Sequence, residues 1–236
     1  MVIRAILTTI MAALIAACGN IAMGTTAGVP LSEFERGDTA PVHVVVAGSN
    51  FVNVVDGPAY DIAIDGPAES AEQILFERDG DALIISREDG IWNGTNEVAT
   101  VTVTLPALSV LTIGGSGRLS AERLTGDGEI TVGGSGEITV ERIDTSSLAV
   151  SIGGSGSVTG AGTTETLDLS IGGSGEARLQ DVSVGTADVT IGGSGSARFA
   201  SDGRVEGTIA GSGTVRVDGT AECTSSSAGS GELICG

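Results

Sequence analysis

Three arginines, Arg178, Arg198 and Arg216, each stand four residues after the serine of a Gly-Ser-Gly triplet. On a strand-built repeat this places them on successive coils about 4.8 Å apart and facing outward. Such a ladder repels itself unless Glu176, a neighbouring acid or an anionic ligand neutralises it. It therefore reads either as a solvated surface or as a stripe for an acidic glycan. Trp92, the single tryptophan, lies in the turn-rich stretch Asp89-Gly90-Ile91-Trp92-Asn93-Gly94, where its ring can stack on a sugar or pack over the end of neighbouring coils. His43 is the single histidine, set between Val42 and Val44 with no Cys or His cluster in company. Neither a metal centre nor a Ser-His-Asp triad has its partners there.

Other motifs weaken on inspection. Gly-Gly-Ser-Gly-Glu is superficially like a calcium-binding nonapeptide, but the position its aspartate would occupy is apolar, as in Ile138 and Val158. The period is also about 19 residues rather than nine, so there is no ligand cage. Phosphate-cradling loops need a following helix, and none of these glycine corners precedes a helical pattern. No cofactor or metal is expected. Polysaccharide-active enzymes on β-helices gather carboxylates on one face, yet no acid pair stands out as catalytic among so many.

The elements that must position these residues are unusually legible. Gly-Ser-Gly recurs with serines at Ser116, Ser135, Ser155, Ser174, Ser194, Ser212 and Ser230, at spacings of 19, 20, 19, 20, 18 and 18 residues. Five residues before each of the first five serines come Leu111, Ile130, Val150, Leu169 and Val189, and three before come Ile113, Val132, Ile152, Ile171, Ile191 and Ile209 in the first six. Hydroxyl residues such as Thr112, Thr131 and Ser151 separate the two columns. Apolar, hydroxyl, apolar is the period of a strand with one buried face. After the corner a second strand follows, then a variable return with a third short strand in some repeats. A single coil cannot stand alone: about five inward side chains at roughly 1.5–3 kcal/mol each do not offset about 1–2 kcal/mol of backbone ordering per residue. Stacking is obligatory, and the fold class is all-β, a single-stranded β-helix (solenoid) with coils of about 19 residues.

Composition agrees. Of 236 residues 41% are apolar and in register, which excludes a disordered chain, while only 3% are aromatic. All 11 basic residues are arginine against 30 acids, a net charge of −19 that repels nucleic acid and anionic lipid.

At the N-terminus Arg4 precedes an apolar run from Ala5 to Ala17, of the length of a signal h-region. The run ends Leu14-Ile15-Ala16-Ala17-Cys18, which resembles a bacterial lipobox and marks Cys18 for lipidation. Gly19 after it resembles the signal for outer-membrane sorting. Cys223 and Cys235 remain, in a compartment that permits disulfides, and are either bridged or two small buried thiols. Their separation of 12 residues sets them in different columns, so a bridge is expected to need the last half-coil to fold back.

From Val42 strands alternate without the Gly-Ser-Gly beat, separated by Asp56-Gly57-Pro58, Asp65-Gly66-Pro67 and Asp79-Gly80-Asp81. The resulting division is a signal peptide over 1–17, a tether over 18–40, irregular capping coils over 41–110 and the regular repeat over 111–236. The stretch Val101-Thr102-Val103-Thr104-Leu105-Pro106-Ala107-Leu108, then Leu111-Thr112-Ile113 and the serial corners, resembles the GIN domain, an auto-transporter adhesin head-domain family, over roughly Val42 to Gly236. The resemblance implies a right-handed β-helix and an adhesin role; the residues themselves leave the hand open.

The reading is a non-enzymatic lipoprotein of the cell envelope, held at the outer membrane by its lipid, whose β-helix is a scaffold binding protein or glycan. A polysaccharide-active β-helix enzyme is the alternative. A third reading is a structural element that forms a homo-oligomer through the unpaired edge of its terminal coil, which no lysine blunts.

Overall fold

The computed structural model describes residues 28–87 and 99–236. Cys18 and Trp92 therefore lie outside the described residues. In chain order the strands begin with β1 (Val29–Pro30), β2 (His43–Gly48), β3 (Phe51–Asp56) and β4 (Asp61–Asp65). A short helix α1 (Ala68–Glu72) leads to β5 (Ile74–Asp79), β6 (Ala82–Arg87), β7 (Thr100–Leu105) and β8 (Val110–Gly115). Then come the long, bending strands β9 (Arg118–Gly134), β10 (Glu137–Gly154), β11 (Ser157–Gly173), β12 (Glu176–Gly193) and β13 (Ser196–Gly211). The stack finishes with β14 (Thr214–Asp218), β15 (Glu222–Gly229) and β16 (Glu232–Cys235). Together they build a β-solenoid of about 7 turns with coils about 19 residues apart.

From β8 onward every coil lies parallel on the last, and like sits over like. Ile113, Val132, Ile152, Ile171, Ile191 and Ile209 form one continuous buried column. Inward and outward residues alternate along each long strand except at paired outward residues, such as Glu141-Arg142 and Ser146-Ser147, which turn the chain. Each coil thus has three bends, the third stretch being carried by Leu124, Ile143, Gly162 and Val182. Differences in coil length are absorbed at the second and third bends: register slips fall between Val140 and Ile143, Thr145 and Ser147, Thr159 and Ala161, and Leu179 and Ser183. None falls at the glycine corner.

The corner tolerates no slip because backbones touch there. Gly173 has φ 123°, and a Cβ on it would lie 2.5 Å from the Gly154 carbonyl oxygen one coil below. Each corner serine donates its backbone amide to the glycine carbonyl beneath, from Ser116 on Gly48 to Ser230 on Gly211, at 2.8–3.0 Å. Among the described residues the serine hydroxyls at these corners make no hydrogen bond; the amide, rather than the side chain, ties the bend.

The N-terminal coils correct one expectation. The beat is present there in disguise: Gly48-Ser49-Asn50 is an eighth corner, with Gly48 paired to Gly115 and φ 91°. Asn50 replaces the last glycine; it is fully buried, donating to the Ala47 carbonyl and accepting from Arg87 Nε. The order of coils in space also differs from the order in sequence. β2 lies between β6 and β8, and β3 between β7 and β9, so the first coil of the chain is enclosed by two later ones. Antiparallel β5 on β6 and β4 on β7 close that end.

Two neighbouring glycines offer a direct test of the corner. Gly172→Ala should be tolerated, since its Cβ would be 4.0 Å from the nearest atom and Ala210 already stands in that column. Gly173→Ala should lower stability by about 1–3 kcal/mol or more from the left-handed φ and the carbonyl contact. Urea unfolding of the two variants measures the contrast.

Candidate functional site

Strand pairing places Arg178 beside Arg198 and Arg198 beside Arg216, on successive coils of the wall that follows the corner. All three face outward and are exposed. The column does not stand as bare charge. Arg178 donates to Glu176 on its own strand, and Arg198 makes a two-pronged contact with Asp218, Nε to Oδ2 at 2.7 Å and Nη2 to Oδ1 at 3.2 Å. The hydrogen bond from Arg198 holds the Asp218 carboxyl below its ordinary range, with the Arg198 and Arg216 charges adding to it. Glu176 and Asp218 in turn hold Arg178 and Arg198 more firmly protonated. Among the described residues Arg216 forms no ion pair. Direct pairing therefore holds two of the three arginines, while Arg216, toward the C-terminal end, meets Asp218 only through its charge.

The wall before the corner carries a feature not singled out in the sequence. Six residues ahead of Ser174, Ser194 and Ser212, Asp168, Asp188 and Glu206 stack in register on successive coils. The same spacing that exposes the arginine column would have exposed this one. Beside it runs the hydroxyl column Thr112, Thr131, Ser151, Ser170, Thr190 and Thr208, so this wall carries acids without paired arginines, whereas the wall after the corner carries the arginines with Glu176 and Asp218. His43 opens this acidic wall, two coils below Glu129, with Nε2 3.1 Å from Thr112 Oγ1. Thr112 is buried, and among the described residues His43 makes no other side-chain hydrogen bond. Among the described residues no group of three or more His, Cys, Asp or Glu is placed to hold a metal ion.

Cys223 and Cys235 are joined as a disulfide, with Cα atoms 6.6 Å apart. The last half-coil does not fold back. Cys223 continues the inward column of Val205 and Cys235 that of Val217, and these columns belong to opposite walls. Their difference in column is what allows the bond, which crosses the interior of the final coil. Ser225 and Ser227, above Gly207 and Ile209, complete a polar ending to the apolar core.

The family described as putative auto-transporter adhesin, head GIN domain, matches residues 41–221. The chain belongs to this family. Among solved structures it is similar to a putative adhesin from Bacteroides fragilis at 20% identity and TM-score 0.74, over 84% of this chain and 94% of that one. A putative adhesin from Parabacteroides merdae aligns at 20% identity and TM-score 0.67, over 84% and 92%. A putative lipid binding protein from Parabacteroides distasonis aligns at 20% identity and TM-score 0.63, over 84% and 93%. At these identities the likeness establishes the fold. No curated protein matches.

Removing the staple with Cys223→Ser and Cys235→Ser together should speed amide exchange in β15 and β16 while the coils of β10 and β11 keep their protection. A bridge closing a loop of this size is worth about 3 kcal/mol, and in a stacked repeat the loss stays near its own coil.

His43 supplies a pH test. Burial pushes its imidazole below the ordinary value of 6.5, with Glu129 opposing. The unfolded chain then binds the proton more readily than the folded one, so the stability His43 contributes is present above pH 6.5 and is lost as pH falls through the folded value. Urea midpoints between pH 7.5 and 5 should fall less steeply in His43→Gln than in the parent protein.

Proposed function

We propose that this protein is a non-enzymatic lipoprotein of the cell envelope, tethered through Cys18, whose coil stack is an adhesin-like scaffold presenting its outer walls to protein or glycan. The observation that carries the reading is the register of outward side chains on a wall whose spacing is fixed by backbone contacts, arginine on one side of the corner and acid on the other. Rigidity of this kind suits recognition of an extended surface, because little ordering remains to be done on binding. Family membership supports the adhesin assignment. The lipobox at Leu14 to Cys18 supports lipid anchoring, with the outer membrane as its destination.

The Arg178, Arg198 and Arg216 column is the proposed contact for an acidic glycan or carboxylated surface, Arg216 first because among the described residues its guanidinium makes no direct ion pair. Trp92 is a second proposed contact, a ring for stacking on sugar. Catalysis would require polysaccharide to be turned over.

Cells expressing the chain should retain it in the membrane fraction, and Cys18→Ser should release it to the soluble fraction and abolish incorporation of labelled fatty acid. Changing Arg178, Arg198 and Arg216 together to Ala should cut adherence to an acidic polysaccharide surface severalfold. Incubation with the same polysaccharide should generate no new reducing ends or unsaturated sugars; their appearance would replace the scaffold reading with the enzymatic one.

A further inference from the structure

The closing coil, residues 219–236, is held differently from every coil beneath it. Three residues before the corner serine the earlier coils place isoleucine or valine inward, from Ile113 to Ile209, and this coil places Ser227. Five residues before the serine, the position of Leu111 to Val189 in the regular coils is taken by Ser225, above Gly207. Of the coil's apolar side chains Ala221, Cys223 and Leu233 pack against the core, each only partly buried. Every residue of β15 except Cys223 is exposed. The burial that anchors the other coils is thus largely missing, and the bond between Cys223 and Cys235 stands in its place.

The layer beneath needs that cover. Val205, Ile209, Val215 and Val217 are at most 1% exposed, and they pair directly with Cys223, Ser227, Leu233 and Cys235. Lifting the closing coil would bare all four side chains, together with one backbone edge of β13 and of β14. The bond is also within reach of solvent. Cys235 is exposed whereas Cys223 is partly buried, so an attacking thiolate meets the Cys235 sulfur first.

We propose that the closing coil is a redox-controlled cap: the disulfide holds it over the apolar end of the stack, and a dithiol reductant releases it. One sulfur of the reductant bonds to Cys235 Sγ as the bond to Cys223 breaks, and Cys223 departs as a thiolate that takes up a proton. The second sulfur of the reductant then attacks the first, which closes the reductant's own disulfide and frees the Cys235 thiol. Exchange with an oxidised dithiol runs the same steps in reverse and closes the cap. In a stacked repeat each coil contacts only its neighbours, so the opening stays with this coil. The cap works in the same way whatever the outer walls bind.

The full chain carrying Cys18→Ser keeps Cys223 and Cys235 as its remaining cysteines, and its amide exchange is compared with and without dithiothreitol. Emission of an uncharged dye that brightens on apolar surface is read in the same samples. Reduction should speed exchange in β15 and β16 and raise dye emission severalfold, leave β10 and β11 protected, and be undone by reoxidation. Ser227→Ile, or Ser225→Val in its place, restores an inward apolar anchor and should blunt both responses to the dithiol while the oxidised protein is unchanged. Adding Cys223→Ser and Cys235→Ser together should give the open signature with or without the dithiol. Reduced protein that keeps β15 and β16 protected, exchange that spreads into β10 and β11, unchanged dye emission, or serine variants that both open as readily as their parent would overturn the cap.

Discussion

Everything in this molecule hangs from the contact between one glycine carbonyl and the serine amide one coil above it. That hydrogen bond forms only if the corner glycines adopt left-handed φ and present no Cβ, because the carbonyl sits where a side chain would begin. With the corner fixed in this way, the strands on either side inherit a common register. Inward residues then stack as apolar columns and outward residues as columns of charge or hydroxyl. The walls are thus a consequence of the bend, and their chemistry is set by whichever residue types occupy positions counted from it.

Positions counted from the serine were accordingly the part of the structure most legible in the sequence. The coil length, the buried columns and the alignment of Arg178 with Arg198 and Arg216 all follow from that one landmark. Legibility fell away where the landmark changed or where distance along the chain stopped tracking distance in space. Asn50 hid the eighth corner because an amide side chain, paired to Ala47 and Arg87, does the work that a bare glycine does elsewhere. The path of the disulfide was not legible, because Cys223 and Cys235 stand on two different walls and a count along the chain does not show that both walls bring them together in the last coil.

The two ends solve the problem of an exposed stack differently. At the N-terminal end the chain reverses, and antiparallel β4 and β5 lie over the parallel coils. At the C-terminal end the direction never reverses; Ser225 and Ser227 take inward positions on one wall, Leu233 still packs against the core on the next, and a covalent bond joins the walls. The first solution buries apolar surface under added strands, whereas the second reduces the need for burial by making the last layer partly polar and stapled. Charge is graded along the same axis, since the arginine column appears only in the later coils.

The enclosure of β2 between β6 and β8 bears on how the rod would carry a mechanical load. A force arriving through the N-terminal side of the chain meets the two-residue edge pairing of β1 first and then a strand gripped by parallel partners on both sides. An edge strand would be unzipped one hydrogen bond at a time. An enclosed strand has to break both of its ladders, and forced unfolding is governed by the height of that barrier rather than by equilibrium stability. By threading its first coil beneath later ones, the chain sets β2 between two ladders at the side where such a load would enter.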